Sequence, residues 1–305
     1  MDGIVKPGRF FFAVAVAALG VEHITCGWFG VFNKTAFPGA TVVSVILWVP
    51  AHSWLAYLTG VALLAAGLRI AVNARSLLAA ILLGVLFLLF VVFVESPRLI
   101  QFGARTAFFE TLAIGAWALT LAGTLPTEGY RSERWNKPLG LLVRSGRYRF
   151  AISSIVFGID HLLYLSFVAT LVPTWIPWHL FWAYFTGFAF IAAGLNIGST
   201  ILARWAGVLL GIMFLLWFVI LHLLRSLGLS AGSGVGAPRN PNEWSSAFIA
   251  LGLAGGAWIS ASQFLQSQAR TTRDRISPRT KAQVIPDVDE PTLPPDPVDT
   301  DLVRH

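Results

Sequence analysis

Apolar residues run along this chain in stretches too long and too uniform for a soluble domain. Eight are predicted as helices, at roughly 10–32, 52–72, 77–97, 105–124, 149–171, 179–200, 203–224 and 245–265, each about 20 residues and so able to cross a bilayer. Backbone groups in lipid must be bonded internally, and no stretch has the ten-residue alternation of a membrane barrel. The expected fold is an all-α, polytopic membrane protein with eight transmembrane helices.

The spans repeat. The stretch 48–98 returns without a gap as 175–225, pairing Trp48 with Trp175, Pro50 with Pro177, Tyr57 with Tyr184, Thr59 with Thr186, Gly60 with Gly187 and Gly84 with Gly211. The run Ala65-Ala66-Gly67-Leu68 recurs as Ala192-Ala193-Gly194-Leu195. Such agreement marks a tandem duplication. Weaker matches flank it: Gly20-Val-Glu-His against Gly158-Ile-Asp-His, and Gly115-Ala-Trp117 against Gly256-Ala-Trp258. Four helices per copy is an even number, so both copies enter the membrane alike. The expectation is two tandem four-helix bundles of the same orientation, related by an axis along the membrane normal. The boundaries follow: a first repeat at 1–124, a linker at 125–148, a second repeat at 149–266 and a tail at 267–305. Small residues such as Gly60, Gly67, Gly187 and Gly194 suit close helix packing. The first copy carries extra residues around 33–38, read as a short interfacial or re-entrant piece.

Composition agrees, with 56% hydrophobic and 12% charged residues and a mean hydropathy of +0.70, which together exclude an ordinary soluble domain. A pI near 10.1 suggests nucleic acid, but the placement of the charges argues against such a partner. Apart from Lys34, Arg98, Arg105, Arg225 and Arg239, every basic residue falls in segments on one side of the predicted topology. This is the positive-inside pattern, and both termini are expected in the cytoplasm, with the chain expected in a cell inner membrane. A single cysteine excludes an internal disulfide or a CxxC pair. The tail, basic at 270–281 and Pro-rich and acidic at 286–301, reads as disordered.

Ionisable residues inside spans are costly and tend to be functional. Glu22-His23 and Asp160-His161 form equivalent acid–histidine pairs, expected about 16–20 Å along their helices at 1.5 Å per residue, at or just past the midplane. His52 and His179 open the second helix of each copy. Glu95 and His222 hold equivalent places near the end of the third, and Glu110 lies early in the fourth. All fall in the outer half. A carboxylate beside a histidine can accept and release protons, so Glu22, His23, Asp160 and His161 are the candidate catalytic groups. His52, Tyr57, His179, Tyr184, Glu95, Glu110 and His222 are candidates for binding a quinone or another cofactor. Paired histidines can also ligate haem, or a metal together with Glu22, Glu95 or Glu110. The plainer alternative is that the pairs bond neighbouring helices and fix register, with His52 and His179 as interfacial anchors beside tryptophans. No P-loop, Rossmann fingerprint, HExxH or nucleophile elbow occurs.

The four-helix repeat, the Gly-x-x-His of the first helix, the Ala-Tyr-x-Thr-Gly-x-Ala-x-x-Ala-Ala-Gly-Leu second helix and Arg239-Asn-Pro-Asn-Glu-Trp244 before a Gly-Gly-Ala-Trp helix resemble DoxX-type membrane proteins. The resemblance covers nearly all of 9–265, as two fused copies of a unit that usually stands alone. It implies a four-helix bundle and, through the DoxD subunit of thiosulfate:quinone oxidoreductase, traffic with the quinone pool and a redox partner protein. The first copy has Gln101-Phe-Gly-Ala where the second has the Asn-Glu-Trp segment. Three functions are open: a quinone-interacting redox subunit, a carrier for protons or a small solute, and a non-catalytic scaffold.

Overall fold

The computed structural model describes residues 2–26, 53–73, 76–99, 104–125, 140–229 and 241–281. Among these residues the chain is helical and has no strand. The helices are α1 (Asp2–Cys26), α2 (Ser53–Ala71), α3 (Ser76–Phe90), α4 (Ala104–Thr124), α5 (Gly146–Leu163), α6 (Leu165–Leu171), α7 (His179–Ser199), α8 (Ala203–Leu216) and α9 (Pro241–Lys281). Seven helices are long and apolar enough to cross a membrane. The pair Gly140–Leu163 and Leu165–Leu171, bent by 96°, makes an eighth when taken as one span. The all-α polytopic fold is therefore present.

The chain forms two compact units, Met1–Leu265 and Gln266–His305. Both copies of the repeat thus belong to one packed body. In the second unit the helix persists to Lys281, where disorder was expected from 267; residues 282–305 lie outside the described residues, as do 33–38 and 126–139.

The duplication holds at the level of atoms. A Cβ on Gly20 would meet the Gly60 carbonyl and the Leu64 amide, and a Cβ on Gly158 would meet their counterparts, the Gly187 carbonyl and the Ile191 amide. Likewise Gly67 lies against Ala13 and Ala17, and Gly194 against Ala151 and Ile155. Only glycine permits two helix backbones to approach this closely, so these four positions set the α1–α2 and α5–α7 contacts.

The last helix of each half does not close on the first helix of the same half. Gly8 of α1 lies against Gly255 and Ile259 of α9, and Gly146 of α5 lies against Ala116 and Thr120 of α4. Each first helix thus pairs with the last helix of the other half, and the helices run round one ring, α1 to α5 and then α7 to α9, rather than forming two self-contained bundles. The α1–α9 and α4–α5 pairs are antiparallel. Trp117 of α4 packs on Gly256 of α9, and the Gln263 side chain donates to the Thr120 carbonyl at 2.7 Å. Those contacts run α4 and α9 in the same direction, so the two halves share one orientation.

These contacts also correct the register of the last helices. Ala116, Thr120 and Leu119 occupy the places of Gly255, Ile259 and Trp258: Leu119 packs on Gly84 as Trp258 packs on its counterpart Gly211. Trp117 therefore corresponds to Gly256, not to Trp258. The shared Gly-Ala-Trp lies two positions out of structural register, because helix packing here follows the small residues that receive Gly8 and Gly146.

The third helix of each half leaves α geometry near its end, through π turns at Val91–Glu95 and Trp217–Leu223. In the first copy Pro97 follows, and its missing N–H frees a carbonyl one turn back. The counterpart Leu224 has an N–H, and the π turn forms there all the same. At the opposite end of the bundle, Asn73 turns the chain between α2 and α3 with a φ of 59°, a conformation that asparagine tolerates. Its side-chain oxygen accepts from Arg9 at 2.8 Å and from Ser76 at 3.0 Å.

Candidate functional site

Both acid–histidine pairs lie at one end of the bundle, in the last turn of their helices, since α1 ends at Cys26 and α5 at Leu163. The helices begin earlier than their apolar runs, and the fifth span breaks at Tyr164 (φ −109°, ψ 34°) instead of continuing to 171. The short α6 then crosses at 96° and stops before Pro173.

In each pair the carboxylate faces a seam between the halves, and the histidine faces the second or third helix of its own half. At the α1–α9 seam Glu22 is 8% exposed and His23 1%. The Ser245 hydroxyl of α9 donates to the Glu22 carboxylate. His23 Nδ1 lies 3.4 Å from the Thr59 hydroxyl of α2. That hydroxyl already donates to its own helix carbonyls, Leu55 at 2.8 Å and Ala56 at 3.0 Å, so Nδ1–H is the donor to Thr59.

At the α4–α5 seam Asp160, 5% exposed, accepts from two residues of α4. Arg105 forms an ion pair with one carboxylate oxygen, and the Thr106 hydroxyl donates to the other at 3.0 Å. His161 Nδ1–H donates to the Phe157 carbonyl at 2.7 Å. Its ring stacks on Trp217 of the second π turn, with centroids 5.5 Å apart at 13°, and meets the edge of Phe190.

Thr106 and Ser245 are equivalent positions, so the two carboxylates are held by matched hydroxyls. Arg105 corresponds to Trp244, and there the seams part. The segment found only in the second copy also supplies Glu243, whose carboxylate Oε2 lies 3.6 Å from His222 Nδ1. Serial contacts therefore cross α8, α9, α1 and α2 at one end of the bundle: His222 with Glu243, Ser245 with Glu22, and His23 with Thr59.

The other predicted residues divide. Glu95 is fully buried at the end of the first π turn, in the place corresponding to His222. Glu110 is half-buried on α4, one turn beyond Thr106. His179 is half-buried at the first position of α7, and His52 lies outside the described residues. Tyr57 and Tyr184 do not join the seams. Both are 47% exposed on the outward faces of α2 and α7, because a residue two places before the inward Thr59 or Thr186 falls on the opposite side of a helix. No group of three His, Cys, Asp or Glu able to hold a metal converges among the described residues. Sequence reasoning missed Arg105, Thr106 and Ser245 as partners of the carboxylates. Arg105 carried a signal, being one of the few basic residues on the sparsely basic side. The chain matches no family model, no curated protein and no solved structure with which it was compared.

Proposed function

We propose that this chain is a DoxX-like inner-membrane protein that exchanges protons with a quinone at the non-cytoplasmic face, as a subunit of a membrane redox system. The basic end, with Arg9, Arg69 and Arg204, faces the cytoplasm, and the acid–histidine end faces outward. A quinol that passes its electrons to a partner redox protein becomes a quinone and releases its protons, and a carboxylate–histidine pair near the membrane surface can accept them. The observation that carries this reading is the placement of Glu22-His23 and Asp160-His161. Two acid–histidine pairs with buried carboxylates lie at the same end of the bundle, each one turn from a helix terminus. The redox centre that exchanges electrons with the quinone is assigned to a partner protein, because the chain has no cofactor motif of its own.

A proton-coupled carrier is the second reading. The like orientation of the two halves, joined at two seams, is the arrangement of parallel-repeat transporters.

The test is purification in mild detergent, extraction of bound quinone, and quinol oxidation with an artificial acceptor. Stoichiometric quinone, with oxidation abolished in the His23→Ala/His161→Ala double variant, supports the redox reading. Neither quinone nor oxidation, together with proton-coupled uptake in vesicles, replaces it with the carrier.

A further inference from the structure

The third helices of the two halves agree on their outer sides. Leu89 and Leu216 are both exposed, and so are their neighbours one turn on, Val92 and Val219. The register of the duplication is therefore kept into both π turns. On the inner side the halves part. Phe90, Val91, Val94 and Glu95 are all buried, none more than 9% exposed. Their counterparts Trp217, Phe218, Leu221 and His222 are each partly exposed, and no residue of Trp217–Leu223 is fully buried. The histidines follow suit: His23 is 1% exposed, and His161 is half-buried.

Positions that point inward in one copy and are uncovered in the other mark an opening inside the second half, not a surface turned to lipid. Its borders are aromatic and polar. The His161 ring lies flat on Trp217. Its Nδ1–H is committed to the Phe157 carbonyl, so Nε2 keeps its lone pair and has no hydrogen-bond partner among the described residues. Hydrogen bonds in a π turn join residues five apart, so His222 stands one turn beyond Trp217. The side chains of His222 and its partner Glu243 are 18% and 14% exposed. The fifth span bends aside by 96° directly after Leu163, so α5 ends within a turn of His161.

We infer that the second half holds a ligand crevice at the acid–histidine end, lined by His161, Trp217, Phe218, Leu221, His222 and Glu243, where the first half is packed shut. Flat faces and hydrogen-bonding nitrogens, with no lysine or arginine in the lining, suit a neutral planar ring that bears hydroxyl groups. A hydroquinone head is such a ring, and its hydroxyl can donate to His161 Nε2. The occupant rests on the quinone reading and assigns the quinone to one half of the duplication; the crevice itself does not.

Equivalent positions supply the control. In a Cys26→Ala background, Leu221→Cys and Val94→Cys are each exposed to methanethiosulfonate ethylammonium in nanodiscs. The reagent modifies thiolates, which form in water and not in apolar surroundings, so Leu221→Cys is expected to label about tenfold faster or more. Decylubiquinone should slow that labelling severalfold. Phe218→Cys against Val91→Cys repeats the comparison where either first variant fails to fold. Equal rates at equivalent positions overturn the crevice. Fast labelling that decylubiquinone leaves unchanged overturns its occupant. Failure of the quinone reading shows separately, as the absence of extracted quinone and of quinol oxidation in the unsubstituted protein.

Discussion

The two seams began as copies of one surface and now differ in what they hold. At the α1–α9 seam a carboxylate meets a serine hydroxyl above an apolar interior of Ala15, Val16 and Ala250. At the α4–α5 seam the carboxylate meets a threonine hydroxyl and a guanidinium above buried hydroxyls. What survived duplication unchanged is the glycine-mediated packing of Gly20 on Gly60 and of Gly158 on Gly187. Backbone approach tolerates no drift, because any side chain there would strike main-chain atoms. The polar contacts are less constrained: one hydrogen bond suffices to satisfy a buried carboxylate oxygen, and a second partner can be gained or lost. Divergence has accordingly gathered in the chemistry and spared the frame.

The largest effects should come from the shared frame. Gly20→Val and Gly158→Val each drive a side chain into a backbone, at a cost of about 3 kcal/mol, near the upper end of ordinary overpacking. Both should lower the yield of monodisperse protein on size exclusion to a similar degree. Tolerance of one and not the other would show that the halves pack differently. The next effect should be one-sided. Arg105→Leu removes the charged partner of Asp160 and should cost about 1–3 kcal/mol, toward the lower figure because the Arg105 side chain is 37% exposed. Thermal melting with and without Asp160→Asn measures it, and the double variant should recover part of the loss. Smaller still, Ser245→Ala should cost about 0.6 kcal/mol, the usual worth of a side-chain hydrogen bond between membrane helices. A loss as large as that of Arg105→Leu would erase the distinction between the seams. Smallest are Tyr57→Phe and Tyr184→Phe, which should shift stability by less than about 0.5 kcal/mol and leave quinol oxidation unchanged.

The spans and the duplication were legible because each rests on a local signal. An apolar run has a length, and motifs such as Pro-x-His and Ala-Ala-Gly-Leu recur in fixed register. The exchange of partners between the halves was not legible. Gly8 and Gly146 mark a close approach without saying which helix approaches, and both ways of closing the ring use the same small residues. The Gly-Ala-Trp match misled by two positions because the tryptophans have different neighbours: Trp117 packs against Phe150 of α5, and Trp258 against Phe11 of α1. The bend at Tyr164 carries no proline or glycine to announce it. At the site, the rare titratable groups Glu22, His23, Asp160 and His161 stood out because charge in an apolar run is conspicuous. Thr106 and Ser245 did not, since a hydroxyl in a membrane helix reads equally as packing, as a bond to its own backbone or as a partner for a carboxylate.

The interlocking of the halves is tested most directly by disulfide trapping in a Cys26→Ala background. The pairs Glu22→Cys with Ser245→Cys and Asp160→Cys with Thr106→Cys span the two seams, and the exchanged pairs Glu22→Cys with Thr106→Cys and Asp160→Cys with Ser245→Cys would close each half on itself. Mild oxidation should cross-link the first two pairs and leave the exchanged pairs reduced. Cross-linking of the exchanged pairs, with the first two unreactive, would contradict the ring and restore two separate bundles.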